Sequence, residues 1–386
     1  MEISKELIGR ARELQPIIAG RAPETERNRA PLDETIKDLC DAGFMQILTP
    51  KRFGGHELHL DTMVEVARII STACPSTGWV LSFYMGHNWL HAVFPEKSQE
   101  EVFATRSFAL SSGQIAPTAK AVRVAGGFEL TGRQAWSSGV VHAEWIFFTG
   151  LVAEEGVPPH PWMFCVPRAD VQVIDTWFIA GMQGTGSRDV AADKVFVPQH
   201  RAYSFIALLQ GTHPGRSIHA NPLYSLPVIT ALSFEAMPVL SGALRGAADI
   251  FVQITRDRIA SYTGTSVAAK PTAQMRAGRA FAMAEALDAM VDDSIDLVMG
   301  LGSRLPTPHE RARIRVRCAL MNKMACESVN DIIHGAGGDA FRDKSPLQRF
   351  FRDLNVLRSH AGIDIDAASE LYGKVLLDID TAGLMV

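Results

Sequence analysis

The spacing of apolar residues changes twice along this chain, and that double switch constrains the fold more than any other feature. In the first hundred residues Ile3, Leu7, Ile8, Ala11 and Leu14 fall on one face of a helix, and Ile36, Leu39 and Cys40 repeat the spacing. Asp61 is expected to cap a third helix running through Met63, Val64, Ala67 and Ile70, after a loop punctuated by Thr49-Pro50 and Gly54-Gly55. From about residue 108 the spacing becomes alternate. Val122 and Val124 are expected to pair with Phe128 and Leu130 across a two-residue turn at Gly126-Gly127, with further strands at 145–151, 162–166, 171–174 and 190–197. Several short strands between Gly and Pro signals predict a small barrel or sandwich. From about residue 222 the helical period returns. Thr307-Pro308-His309-Glu310 reads as a capping box with proline at the first helical position, and Ser345-Pro346-Leu347-Gln348 repeats the design. Segments near 228–259, 272–300, 309–334 and 363–380 are long enough for a four-helix bundle. The expected architecture is therefore α+β: an N-terminal α-helical domain (1–107), a central β domain (108–210) and a C-terminal helical bundle (211–386).

Several function classes fall away on composition. The formal net charge is −4 and no long basic run occurs, so neither nucleic acid nor an anionic membrane is an expected partner. The longest dense apolar stretch, around 145–151, is expected to be far shorter than the roughly 20 residues that span a bilayer. The charged start, Met1-Glu2-Ile3-Ser4-Lys5-Glu6, lacks the apolar run of a secretory signal, so the expectation is a soluble cytoplasmic protein. Cys40, Cys74, Cys165, Cys318 and Cys326 form no C-x-x-C pair and read as free thiols in a reducing compartment.

The helix, β, helix order and several local motifs together resemble the acyl-CoA dehydrogenase superfamily over essentially the whole chain. Pro50-Lys51-Arg52-Phe53-Gly54-Gly55 resembles its N-terminal motif, and Trp136-Ser137-Ser138-Gly139 its flavin-facing β segment. Gly181-Met182-Gln183-Gly184-Thr185-Gly186-Ser187 is similar to the second β motif, followed by Val197-Pro198 and Arg201. The superfamily holds two chemistries. Its dehydrogenases use a glutamate base a few residues after an Arg-Asp. Here Phe350-Phe351-Arg352-Asp353 leads to Leu357-Arg358-Ser359-His360-Ala361-Gly362, so Ala361 stands where that base would be, with His360 beside it. A methyl group cannot accept a proton. The change resembles the flavin-dependent monooxygenase branch, the oxygenase components of two-component aromatic hydroxylases of the 4-hydroxyphenylacetate hydroxylase type.

That resemblance implies reduced flavin (FADH2 or FMNH2) and O2 as reactants, and hydroxylation of a phenol or indole through a flavin C4a-hydroperoxide. A separate NAD(P)H:flavin reductase and a homotetramer are the implied partners. Imidazole titrates near neutrality, so His360 is expected to take or share the substrate proton, the plain alternative being a helix-surface histidine. Ser138 matches a serine near flavin N5, as a hydrogen-bond donor, although Ser137 could exchange roles with it. His87, in Gly86-His87-Asn88-Trp89, matches a pocket histidine, with Trp79 and Ser112 as further candidates for the substrate wall. His87 and His91 also have the i,i+4 spacing of a metal pair, but no third ligand follows. Trp136, Ser137, Ser138, Gly139, Gly184 and Thr185 are implied flavin contacts, with Arg256, Arg258 and Gly337-Gly338 toward the flavin tail, a solvated face being the plain alternative for the arginines. Gly335-Ala336-Gly337-Gly338 is not a G-x-G-x-x-G after a strand, so no nicotinamide site is indicated. Two rivals stand beside this reading: a heteroatom (S/N) flavin monooxygenase, and an acyl-CoA dehydrogenase whose base has moved to Glu235.

Overall fold

The computed structural model describes residues 2–154 and 156–381. The N-terminal part consists of α1 (Glu2–Asn28), α2 (Asp33–Asp41), α3 (Leu60–Ala73), α4 (Pro75–Ala92) and α5 (Glu96–Val102). Asp61 does not cap α3. The N-cap is His59, and Asp61 lies in the first turn, where its carboxylate accepts the Thr62 amide at 2.6 Å and suits the positive end of the helix. Pro75 starts α4, and every residue of that helix is buried except Phe83. A helix apolar and covered on all sides is a core helix.

A single seven-stranded mixed sheet follows, in the spatial order β5-β6-β2-β1-β3-β4-β7. Its strands are β1 (Ser111–Val124), β2 (Gly127–Ser137), β3 (Trp145–Glu154), β4 (Val157–Pro167), β5 (Gln172–Ile174), β6 (Arg188–Pro198) and β7 (Ala202–Ser204). One hydrogen-bonded ladder runs from edge to edge, and its strands enclose a core of their own. β1 and β3 form its parallel pair, with register shifts around Pro117, which cannot donate to a ladder. The hairpin turn is Ala125-Gly126, one residue earlier than the sequence suggests, because Val124 pairs with Gly127 and Arg123 with Phe128. Val122 pairs with Glu129 and so shares its solvent face, as does Val124, while Phe128 and Leu130 on the opposite face are buried. β3 reads as a continuous apolar run because both its faces are covered. Ile146 and Phe148 enter a core of their own with Phe128, Leu130 and Phe164, while Phe147 joins the main helical core.

The C-terminal part comprises α6 (Phe205–Gln210), α7 (Gly215–Ile218), α8 (Val228–Asp257), α9 (Pro271–Met299), α10 (Pro308–Ala336), α11 (Pro346–Leu357) and α12 (Ile365–Leu376). The capping box at Thr307 is present, with Glu310 closing back on the Thr307 amide at 2.7 Å. Ser345 makes no such box, since its hydroxyl caps nothing and Gln348 turns to the Asp343 carbonyl at 3.3 Å. α8 is long and apolar enough to cross a bilayer by composition, yet 78% of its apolar window is buried inside the fold. This stretch, not 145–151, is the longest apolar one. The five cysteines are free.

Candidate active site

One face of α4 organises the site. Trp79, Phe83 and His87 are four residues apart and so stack along the helix. Their rings touch in sequence, Trp79 to Phe83 at 4.7 Å and Phe83 to His87 at 5.5 Å between centroids. At 1.5 Å per residue, the outer two lie about 12 Å apart along the axis.

At the Trp79 end, α4 meets the two β motifs. β2 ends in a turn where Trp136 takes a left-handed backbone, φ 63°, and stands 52% exposed against Trp177. The two serines that follow point differently. Ser137 is buried and receives the Gln134 side-chain amide at 3.1 Å, whereas Ser138 is partly open. Trp79 Nε1 donates to Ser138 Oγ at 3.2 Å, and Ser187 Oγ lies 3.1 Å from it. The proton order of this hydroxyl chain follows from its far end. Thr185 Oγ1 donates to the Met182 carbonyl at 2.9 Å, so Ser187, 2.7 Å away, donates to Thr185, and Ser138 then donates to Ser187. With Trp79 and Ser187 satisfied, Ser138 Oγ retains one free lone pair. It therefore offers an acceptor, where the sequence reading anticipated a donor.

His360 closes this end. Its ring stands edge-on to Trp79 at 5.4 Å, and as N-cap of a short 3-10 turn its Nδ1 accepts the Gly362 amide at 3.2 Å. The neutral ring consequently carries its proton on Nε2. Burial lowers the pKa of this largely covered ring, favouring that neutral form. His360 is thus a donor beside Ser138, and not the bare base expected from sequence. Asp353, two turns earlier, ties α11 to the β motif by accepting the Met182 amide at 2.5 Å, and burial pushes its carboxyl up to about 6. Arg352 adds a bond to the Ala180 carbonyl at 2.9 Å and an ion pair with Glu26. The Arg-Asp pair is a clamp that sets His360 against Trp79. Gly139 holds a left-handed backbone whose carbonyl receives the Tyr84 hydroxyl, and Gly184 is packed tightly on Thr25.

The His87 end is sealed. His87 is 4% exposed, caught edge-on between Phe83 and Phe147, and burial pushes its imidazole down to about 4. Its Nδ1 lies 2.6 Å from the Ser111 carbonyl. A carbonyl can only accept, so the proton sits on Nδ1 and Nε2 holds a lone pair. Ser112 is fully buried, and its hydroxyl has no partner among the described residues. His91 turns to Ser111 Oγ at 2.6 Å, so the i,i+4 histidines both engage one serine. Sequence reasoning missed Phe83, Ser187 and Ser111, although Phe83 was marked by lying midway between Trp79 and His87.

Glu235, the base of the dehydrogenase rival, is 3% exposed, and desolvation raises its carboxyl well above the usual range; it is pressed so close to Gly86 that a Cβ there would come within 1.9 Å of Oε1. Of the two candidate arginines, Arg258 lies at the α10 C-terminus. It donates to the Gly335 carbonyl at 3.2 Å and lines an open pocket of about 460 Å³ with Ser261, Gly338 and Arg342, whereas Arg256 is exposed. Gly337, with φ 77°, tolerates that guanidinium because it has no side chain.

These features suit a flavin. An exposed indole on a left-handed turn offers a flat apolar contact, Ser138 offers an acceptor matched to a reduced N5–H, and Arg258 offers a cation for a phosphate. Comparison with known proteins agrees. Residues 10–101 match the acyl-CoA dehydrogenase N-terminal domain and residues 234–365 the acyl-CoA dehydrogenase C-terminal domain. The chain is 48% identical to a pigment production hydroxylase of Rhodococcus sp. over 98% of both chains. It is 33% identical to the flavin-dependent monooxygenase oxygenase subunit HsaA of Rhodococcus jostii, covering 93% of this chain and 95% of that one. The solved structure of XiaF from Streptomyces sp. in complex with FADH2 and glycerol superposes with a TM-score of 0.89 at 27% identity, covering 99% of this chain and 97% of that one. With 48% identity to a hydroxylase along nearly its whole length, both acyl-CoA dehydrogenase domains and the Ser138–Trp79–His360 arrangement, the chain belongs to the flavin-dependent monooxygenases of the acyl-CoA dehydrogenase fold.

Proposed function

We propose that the protein is the oxygenase component of a two-component system and hydroxylates a phenol-type ring laid over Phe83. The observation that carries this reading is the polarity of the α4 face. Phe83 is its one residue not buried, and it lies between a donor, His360 Nε2–H, and an acceptor, His87 Nε2. Bound reduced flavin supplies the activation of O2. The protein's own residues do the rest.

His87 accepts the hydroxyl hydrogen of the substrate, which raises electron density on the ring. Because its imidazole stays uncharged down to about pH 4, it remains an acceptor throughout the neutral range. The buried Ser112 hydroxyl is a second polar partner for the same end. Phe83 and Phe147 hold the ring by edge and face contacts and exclude water. His360 and Ser138 address the flavin edge, one as donor and one as acceptor, about two helical turns from His87. The reacting carbon of a ring over Phe83 then faces the flavin while its hydroxyl faces His87.

Reduced flavin comes from a separate reductase, as the oxygenase-subunit relative implies. The exposed Leu320, Leu376 and Leu377 of the bundle suit self-assembly into a homotetramer, measurable by light scattering. The test of function combines purified protein, phenols, NADH, flavin and an unrelated flavin reductase. A product heavier by one oxygen, formed only with the reductase, supports the reading, and NADH oxidation by the chain alone contradicts it.

A further inference from the structure

We propose that His91 and Ser111 form a positioning pair that locks His87 with its Nε2 unprotonated and thereby fixes the polarity with which the site meets a substrate hydroxyl. The inference rests on the reading of His87 as the substrate acceptor. It starts from a polar chain that the reaction itself does not require. His91 lies one turn beyond His87 on α4 and is 1% exposed, within a cage of Phe147 at 4.5 Å, Phe103 at 6.0 Å and Trp145 at 6.4 Å. An aromatic or aliphatic side chain would fill such a cage without the desolvation cost of an imidazole.

Both nitrogens of His91 are engaged. Nδ1 lies 3.8 Å from Cys165 Sγ on β4, and Nε2 lies 2.6 Å from Ser111 Oγ. Burial pushes the Cys165 thiol far up, so it remains S–H beside Nδ1. A single hydrogen is shared between His91 Nε2 and Ser111 Oγ, and it ties the two side chains together at 2.6 Å. Ser111 is the first residue of β1, paired in parallel with Trp145 of β3, and its carbonyl is the atom that holds His87 Nδ1–H at 2.6 Å. One residue is thus grasped twice, by side chain from His91 and by main chain from His87. Pulling the Ser111 side chain toward His91 aims the carbonyl at His87. Without that pull the strand end relaxes, and the His87 proton can move to Nε2, where it would repel a hydroxyl hydrogen.

The test uses the full-length protein with ¹⁵N-labelled histidine and phenol as the probe. In wild type, the two ring nitrogens of His87 should give the pattern of a single Nδ1–H tautomer. His91→Phe keeps the cage filled but removes both nitrogens. It should give mixed tautomers at His87 and weaken phenol binding about tenfold, with recovery to near wild type in His91→Gln, whose amide can still donate to Ser111. Ser111→Ala retains the carbonyl and loses the anchor, so it should move both readouts the same way, and it decides the matter if His91→Phe does not fold. Unchanged ¹⁵N patterns in both variants would make His91 mere core filling and overturn the proposal. Mixed tautomers with unchanged phenol binding would overturn it too, provided that His87→Phe does weaken phenol binding. If His87→Phe leaves phenol binding intact, the fault lies in the reading of His87 as substrate acceptor, and the ¹⁵N pattern alone judges the lock.

Discussion

The two ends of the α4 face solve opposite problems with similar residue types. At the Trp79 end, hydroxyls and a histidine sit on turns: Trp136 and Met182 adopt left-handed backbones, and Ser138 and His360 remain partly open. At the His87 end, His87, His91, Ser111 and Ser112 are all buried, and they are held by a helix and a strand. Under the proposed function, the contrast follows from what each end would meet. A large flat cofactor must enter and leave, and loops can carry the strained backbone that an open cradle needs. A small ring needs a dry, rigid seat in which one lone pair keeps its direction. Each histidine shows the difference in its tautomer, a backbone amide setting His360 as donor and a backbone carbonyl setting His87 as acceptor.

The comparison breaks most readily at His87. His87→Phe should cut product formation by 10²–10⁴, the usual span of general-base assistance, while O2 uptake continues and its oxygen leaves as hydrogen peroxide. Product and peroxide, quantified per reduced flavin consumed, give the answer. Full coupling in this variant would mean that the two ends are not divided as described.

Acid and base stress should also separate the ends, with opposite signs. Above pH 6.5 His87 is neutral folded or unfolded. As pH falls from 6.5 toward 4 the unfolded chain takes up a proton that the folded one refuses, so stability drops. Asp353, raised to about 6 from 3.8, behaves in reverse: its contribution is present below pH 3.8 and is lost as pH rises through 6. Each is worth on the order of 3 kcal/mol, at about 1.4 kcal/mol per pH unit. Denaturant titrations should therefore find His87→Phe less sensitive to acid and Asp353→Asn less sensitive to the rise from pH 4 to 6. Parallel curves for both variants and wild type would remove this distinction.

At the open end the expected losses are smaller. Ser138→Ala and His360→Ala should each speed peroxide release without substrate about tenfold, since a single hydrogen bond is worth roughly 1–2 kcal/mol. His87→Phe should leave this substrate-free rate alone. Ser137→Ala supplies the internal contrast, because Ser137 is bonded to Gln134 inside the sheet.

Much of this division was legible in the sequence, but not its polarity. The change of period located the sheet, and Trp136-Ser137-Ser138-Gly139, Arg352-Asp353 and His360 marked the open end through a family resemblance. Which serine faces outward depends on a single left-handed residue at Trp136, and no pattern of side chains announces that φ. Proton positions depend on what each ring nitrogen meets, so His360 read as a base until the Gly362 amide was found on its Nδ1. The hairpin slipped by one residue for a related reason: either Gly126 or Gly127 satisfies the turn, and pairing with β6 selects the first by placing Gly127 against Pro198. Ser111 had no signal at all, since its role is carried by a carbonyl.

The smallest effect tests the link between the ends. Trp79 is the one residue of the α4 face that touches both Ser138 and His360, yet its ring continues the stack through Phe83 to His87. Trp79→Phe preserves a ring in that stack but deletes the Nε1–H donated to Ser138. If the indole acts chiefly as a donor, Ser138 loses the bond that orients its free lone pair, and substrate-free peroxide release should rise only a few-fold, for a neutral bond worth about 0.5–1.5 kcal/mol. Phenol binding should then barely change, because the His87 seat is built from α4, β1 and Phe147. If the indole acts chiefly as a spacer, the smaller ring leaves a cavity, His360 leans in, and phenol affinity falls together with peroxide control. Stopped-flow decay beside a phenol titration separates the two outcomes. A change in the first measurement alone would mean that the open and sealed ends share a helix but not a fate.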